Sequence, residues 1–404
     1  MSLTYDPRDA KNIADPLPVL LALQEQDPVH WSASLGGWVI TRYDDVKRIA
    51  LDSELSADRL TPFFKSLPAA QRNRLADLIR YLNTWVAFRD PPEHTRLRKL
   101  MNEVFTEHMV ETLKPSIETI VAKLLGDLAE RERFDFISDF ANPLPATVIM
   151  DMMGIPHEDL GVIKEWSNKI QLFIGSASTA QNKYQQAQEG AVDMADYFRA
   201  IIRERERKPA DDIVSQLLAI RDEDDALSED EVIGTCILFL FAGHETTTNL
   251  LGNGIRALID HPDQLAKLRK NPQLIEPAVE ECLRYDGPTG AIARVVAVEH
   301  EMGGKTLAKG DRVFAFINAA NWDPRHFNQP QRFDITRTPN RHLTFNYGRH
   351  FCLGAPLARL EGQIAILEVV KRFPGLQLEG GPPQYMDTLV MRGVRKMPVR
   401  KPHS

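Results

Sequence analysis

Residues 228–259 restrict the fold of this chain more than any other stretch. Ser228-Glu-Asp-Glu231 is a capping box, in which the serine hydroxyl and the glutamate three residues on satisfy each other's helix-end donors. The apolar spacing through Val232, Ile237 and Leu240 predicts a helix that runs to about Ile259 and stops before His261-Pro262. Between 236 and 243 this helix is apolar on nearly every face, so other elements must pack on all sides of it. The apolar run is too short for the ~18–20 residues of a membrane span, and it leads directly into His244-Glu245. A buried carboxylate without partners costs several kcal/mol. The middle of this helix therefore needs either a satisfied polar network or a function.

The remaining text predicts a mainly α chain with a smaller β part, organised as a single domain over residues 1–404. Helical periodicity dominates from about 92 to 270, for example in 118–126 and 190–199. β-like runs appear at Gly36–Arg42, Ile292–Val298 and Arg312–Ile317, and again at Leu389–Met391 and Val394–Val399. Residues 320–345, rich in Pro, Asn and Asp, read as one long irregular segment, which in a compact domain is usually functional. A net charge of −7 argues against nucleic-acid binding. Three cysteines, at 236, 282 and 352, are too few and too scattered for a disulfide framework and fit a reducing compartment. The N-terminus lacks the basic-then-apolar order of a signal peptide. A soluble, cytoplasmic protein without a membrane span is expected.

The run Phe345-Asn-Tyr-Gly348-Arg-His350-Phe-Cys352-Leu-Gly354 sets one cysteine between glycines. With no second cysteine nearby, it is neither a zinc knuckle nor a Cys-x-x-Cys redox pair. Two readings stay open: a buried inert thiol, or a single thiolate ligand to a large planar cofactor that the glycines let the backbone approach. A helix predicted from Ala355, with Pro356 in its first turn, would aim backbone N–H groups at such a thiolate. The run is similar to the haem-binding loop of the cytochromes P-450, Phe-x-x-Gly-x-x-x-Cys-x-Gly. Phe345, Gly348, Cys352 and Gly354 fall on that pattern, and Asn346 stands where many bacterial members carry glycine. The resemblance implies haem b with Cys352 as axial thiolate, and a triangular fold with a long central helix over the haem.

Further features bear on the same chemistry. In Ala242-Gly-His-Glu245-Thr246, adjacent helical residues diverge by about 100°, so Glu245 and Thr246 face different ways. Ala242 and Gly243, one turn before Thr246, leave a groove of diatomic size. The Thr246 hydroxyl would bond there or to its own preceding turn, and Glu245 would exchange protons through waters. This segment resembles the family's oxygen-activating motif, which implies an oxygen-site hydrogen bond for Thr246 and proton relay for Glu245. Glu281 and Arg284, at i,i+3 on one helix face, are alone an ordinary surface pair. They resemble the family's Glu-x-x-Arg helix, whose third partner is assigned here to Arg332. Cys236 and Cys282 read as inert buried thiols. His94 and Arg98 resemble the family's His-x-x-x-Arg haem-contacting helix. Arg294 and His350 match its further propionate contacts.

The whole set implies a bacterial-type haem-thiolate monooxygenase that inserts one oxygen atom from O2 into an apolar or amphipathic small molecule. The cysteines cannot hold an iron–sulfur cluster, which needs about four, and no flavin motif is present. Electrons would come from a separate ferredoxin or flavodoxin with an NAD(P)H reductase. It would dock on a basic patch formed by Arg96, Lys99, Arg349 and Arg359. A peroxide-driven peroxygenase and a non-enzymatic haem sensor or carrier are the alternatives. By resemblance the substrate wall comprises Leu82, Trp85, Val86, Leu238, Phe241, Gly290, Ala291, Ile292 and Val390, under a lid at Ile170–Ile174. Arg59 and Asn83 are candidate anchors for a polar group. Terpenoid, steroid, aromatic acid, fatty acid and macrolide substrates all suit such a wall.

Overall fold

The computed structural model describes residues 3–175, 182–221, 227–381 and 383–402. The central helix spans Glu229–Asp260 and opens with the expected capping box. Val232, Ile233, Ile237, Leu240, Leu251 and Leu258 are all buried. The helices Pro143–Met152, Lys183–Arg207, Ile275–Asp286 and Ala355–Arg372 pack around it. Each fully buried aliphatic side chain in such a seam contributes about 1.5–3 kcal/mol. Two of the central helix's glycines allow close approaches. A Cβ at Gly234 would overlap the Thr84 hydroxyl, and one at Gly254 would crowd the Cys282 side chain. Cys236 and Cys282 are both buried, which pushes their thiols well up and leaves them inert. None of the described helices is long and apolar enough to cross a membrane.

A five-stranded sheet lies beside the helices. Its order is Val29–Ser32, Gly37–Ile40, Arg312–Phe316, Ala291–Val296 and Leu55–Ser56, and the second and third strands run parallel. Strand Ala291–Val296 pairs antiparallel with Arg312–Phe316, setting Arg294 opposite Val313. The β-like text at Leu389–Met391 makes only one isolated bridge, Thr289 to Met391. The last run forms two short strands, Val394–Lys396 and Pro398–Arg400.

The irregular segment before Cys352 is held by side chains because it has no ladder to satisfy its backbone. Asn321 accepts from Leu343 N–H at 2.8 Å, and its amide donates to the Thr344 hydroxyl at 2.9 Å. Arg284 and Glu281, both fully buried, form a bidentate pair with both contacts at 2.8 Å. The third partner differs from the sequence expectation. Arg332 is exposed and joins only through its carbonyl, which accepts from Arg284 and from Arg337. The guanidinium that completes the network is that of Arg337, 3.1 Å and 3.2 Å from the two Glu281 oxygens. The chain turns at Gln329–Arg332, so Arg332's side chain points outward and Arg337 folds back over the helix.

Candidate active site

Cys352 follows a short helical turn at Gly348–His350 and precedes the helix Ala355–Arg372, with Pro356 in that helix's first turn. Its own N–H donates to Phe345 O at 2.9 Å, which closes the loop. The loop bends through two left-handed residues, Asn346 at φ 62° and Gly348 at φ 69°. Asparagine is among the few side chains that tolerate this region. Asn346 also donates its amide to His350 O and accepts from Tyr347 N–H, so the departure from glycine keeps the turn. Part of the Cys352 surface is open although protein surrounds it on most sides. That crowding pushes the thiol up. The backbone N–H groups of Gly354 and Ala355 and the charges of Arg98 and Arg359 pull the other way.

Around it gather nitrogen donors with few acceptors. The rings of His94 and His350 lie 4.3 Å apart. Burial and then the neighbouring arginines depress both histidines, His350 to about 3, so each is neutral near pH 7. Arg294 is lowered to about 10, chiefly by burial, and Arg98 is lowered by burial as well. His94 Nε2 and one terminal nitrogen of Arg294 are buried without a hydrogen-bond partner. The nearby carboxylate, Asp90, is already engaged by the Ser56 hydroxyl and by Ala57 N–H. Buried donors without acceptors are costly. A donor set of this kind, beside a thiol held by backbone N–H groups, fits haem, whose two propionates supply the missing acceptors.

The central helix faces this region with its small residues. Ala242 is exposed there and Thr246 is half-buried. Gly243 serves packing as well, since a Cβ on it would lie 3.3 Å from Ile149. The Thr246 hydroxyl donates to Ala242 O at 2.8 Å, one turn back, and the helix stays unbroken. Glu245 points away as expected, but into protein: it is 5% exposed and hydrogen-bonds Gln171. Burial raises it to about 7, against the pull of Lys164. Sequence reasoning missed His244, which is buried, lowered to about 4 by burial, and bonded at 2.8 Å to the Asn142 amide. It also missed Glu361, buried beside Thr247 and raised to about 8 by burial. Their partners, Asn142 and Thr247, come from segments about a hundred residues away along the chain, which spacing within one helix does not signal.

The expected substrate wall is placed unevenly. Trp85 stacks on Phe88 and makes a tilted contact with Phe241, with ring centres 5.7 and 5.5 Å away, and is almost wholly buried. Val86, Leu238 and Leu82 are buried too, while Ile292 and Val390 are half-buried. Ala291 does not line the wall. Strand alternation turns it into the core with Phe314, Phe316 and Leu389. Gly290 lies tight against the Leu389 backbone and accepts from Ile317 N–H. The expected lid at Ile170–Ile174 is the buried end of the helix Leu160–Ile174, and Thr388 ties down Gly175 beyond it. Asn83 carries a buried Oδ1 without a donor. Of the expected basic patch, Lys99 and Arg349 are exposed. Arg96 pairs with Glu231, and Arg359 is bidentate to Glu280 at 2.7 and 2.9 Å.

A family model described as Cytochrome P450 matches residues 38–398. The chain is 35% identical to the polyketide biosynthesis cytochrome P450 PksS of Bacillus subtilis (strain 168), over 98% of each chain. It is 37% identical to a biotin biosynthesis cytochrome P450 of the same organism, over 99% of each. Its backbone matches the crystal structure of P450BioI in complex with hexadec-9Z-enoic acid ligated acyl carrier protein, with a TM-score of 0.90 at 37% identity. That match covers 97% of this chain and 99% of the other.

Proposed function

The chain belongs to the cytochrome P450 family and is a haem-thiolate monooxygenase that uses O2, and on that premise we propose that it hydroxylates or epoxidises an apolar or amphipathic small molecule, with Cys352 as the residue whose thiolate would hold the haem. The observation that carries this reading is the Cys352 sulfur, held by the Gly354 and Ala355 N–H groups amid donors that lack acceptors. Haem, when bound, supplies the redox chemistry of dioxygen. Arg98, Arg294, His94 and His350 would hold the propionates. Trp85, Phe241 and Ile292 would shape the apolar chamber and exclude water. The Thr246 hydroxyl would exchange its Ala242 carbonyl for a bond at the groove beside Ala242. Glu245, raised to about 7, holds or releases a proton near neutral pH and would pass it through Gln171 and waters. Electrons would come from a separate ferredoxin or flavodoxin with its reductase. Relatives named for polyketide and biotin biosynthesis, and a relative's fold bound to an acylated carrier, favour a substrate with an extended apolar part.

Turnover with surrogate ferredoxin and reductase tests the reading. Thr246→Ala should keep substrate binding and reduction, yet lower product per NADH about 10-fold or more as electrons leave as hydrogen peroxide. Undiminished coupling in that variant would remove the role given to the hydroxyl. Equal product from peroxide alone would favour a peroxygenase.

A further inference from the structure

Arg59 stands just before the helix Leu60–Ser66, and its guanidinium lies 4.4 Å from the centre of the Phe88 ring. Among the described residues, no carboxylate pairs with it and no side chain accepts from it. The acids beside it are committed elsewhere. Asp58 accepts from Thr61 N–H at 2.9 Å, and Asp90 is held by Ser56 and Ala57. Its charged neighbour is instead Arg294, whose own terminal nitrogen is orphaned. Burial, and then the charge of Arg294, lower Arg59 to about 9, so it stays a cation at neutral pH. Ring contacts lead from Phe88 through Trp85 to Phe241, the residue before Ala242. A cation thus sits over one end of a buried aromatic row, without an acid to pair with.

Resting on the monooxygenase reading above, we propose that Arg59 is an anion anchor that binds the carboxylate of an amphipathic acid. A planar guanidinium takes a carboxylate in two parallel hydrogen bonds, and stacking on Phe88 fixes its plane. A haem propionate is the other carboxylate within reach, although Arg98, Arg294, His94 and His350 already match both.

The test is an optical titration of the ferric holoprotein with tetradecanoate and with tetradecanol, in wild type, Arg59→Ala and Arg59→Lys. The haem-loss rate to apomyoglobin and the carbon monoxide spectrum are read alongside. Arg59→Ala should weaken the acid about 10- to 100-fold and the alcohol less than about 2-fold. Arg59→Lys should recover part of the loss, with haem loss unchanged. No preference for acid over alcohol in wild type, or equal losses for both in Arg59→Ala, overturns the anchor. Faster haem loss with an unchanged acid preference assigns Arg59 to a propionate and also overturns it. A wild type lacking the thiolate-type carbon monoxide band would instead sink the monooxygenase reading itself.

Discussion

Glu361 and Glu245 show how far position alone alters a carboxyl group. Both lie in the protein interior, and burial raises Glu361 to about 8 and Glu245 to about 7. For Glu361 the raised folded value sets the sign of a stability effect. The contribution of its protonated form is complete below the ordinary 4.5 and is lost as pH rises towards 8. Glu361→Gln keeps the shape and removes the titration. It should therefore gain on wild type between pH 5.5 and 8.5, by the order of 2–5 kcal/mol. Urea midpoints of the holoprotein at the two pH values measure this, and a gap that does not widen would show Glu361 to be solvated. Cys352 differs from both acids: burial pushes its thiol up while two N–H groups and two arginines oppose that push. Its local signal was strong because Gly348, Cys352 and Gly354 are close in the chain. Glu361 gave no signal, because its partner Thr247 comes from a distant helix.

The irregular segment and the helix Ile275–Asp286 form the element on which the thiolate loop depends. Glu281 and Arg284 were legible as a pair because residues three apart share a helix face. The third partner was not, since the course of residues 320–345 follows no period. Arg337 reaches the carboxylate and also donates to the carbonyls of Asn328, Gln329 and Arg332. Arg337→Ala should cost about 3 kcal/mol by leaving Glu281 short of compensation in a buried site. Arg332→Ala keeps the carbonyl and should cost less than about 0.5 kcal/mol. Thermal melts with haem retention distinguish them, and equal losses would restore Arg332 as the third partner. The central helix shows the converse case: its capping box, length and buried apolar middle were all readable, because each is a matter of spacing along one element.

At the scale of the molecule, the loop bearing Cys352 leaves Tyr347 and Phe351 exposed, with Leu51 exposed beside it. Lys47 lies 4.4 Å over the Tyr347 ring, and Lys99 and Arg349 are exposed. Arg96 and Arg359 are already paired with acids, so their charges are largely spent within the fold. An acidic electron donor would meet mainly Lys47, Lys99 and Arg349. Lys99→Glu with Arg349→Glu should slow the first electron transfer about 10-fold at low salt, with the difference shrinking as ionic strength rises. Stopped-flow reduction across a salt series measures it, and a salt-independent rate would remove the patch. By itself the sequence determined the buried central helix, the tight loop around Cys352 and the small residues preceding Thr246. These rest on residues a few positions apart, where covalent geometry limits the outcomes. Only the tertiary structure decided that Arg337 rather than Arg332 closes on Glu281, that Ala291 faces the core, that Glu245 meets Gln171, and that Arg59 lies on Phe88 without an acid. Those pairings join distant segments, and their geometry depends on how the whole chain packs around the central helix.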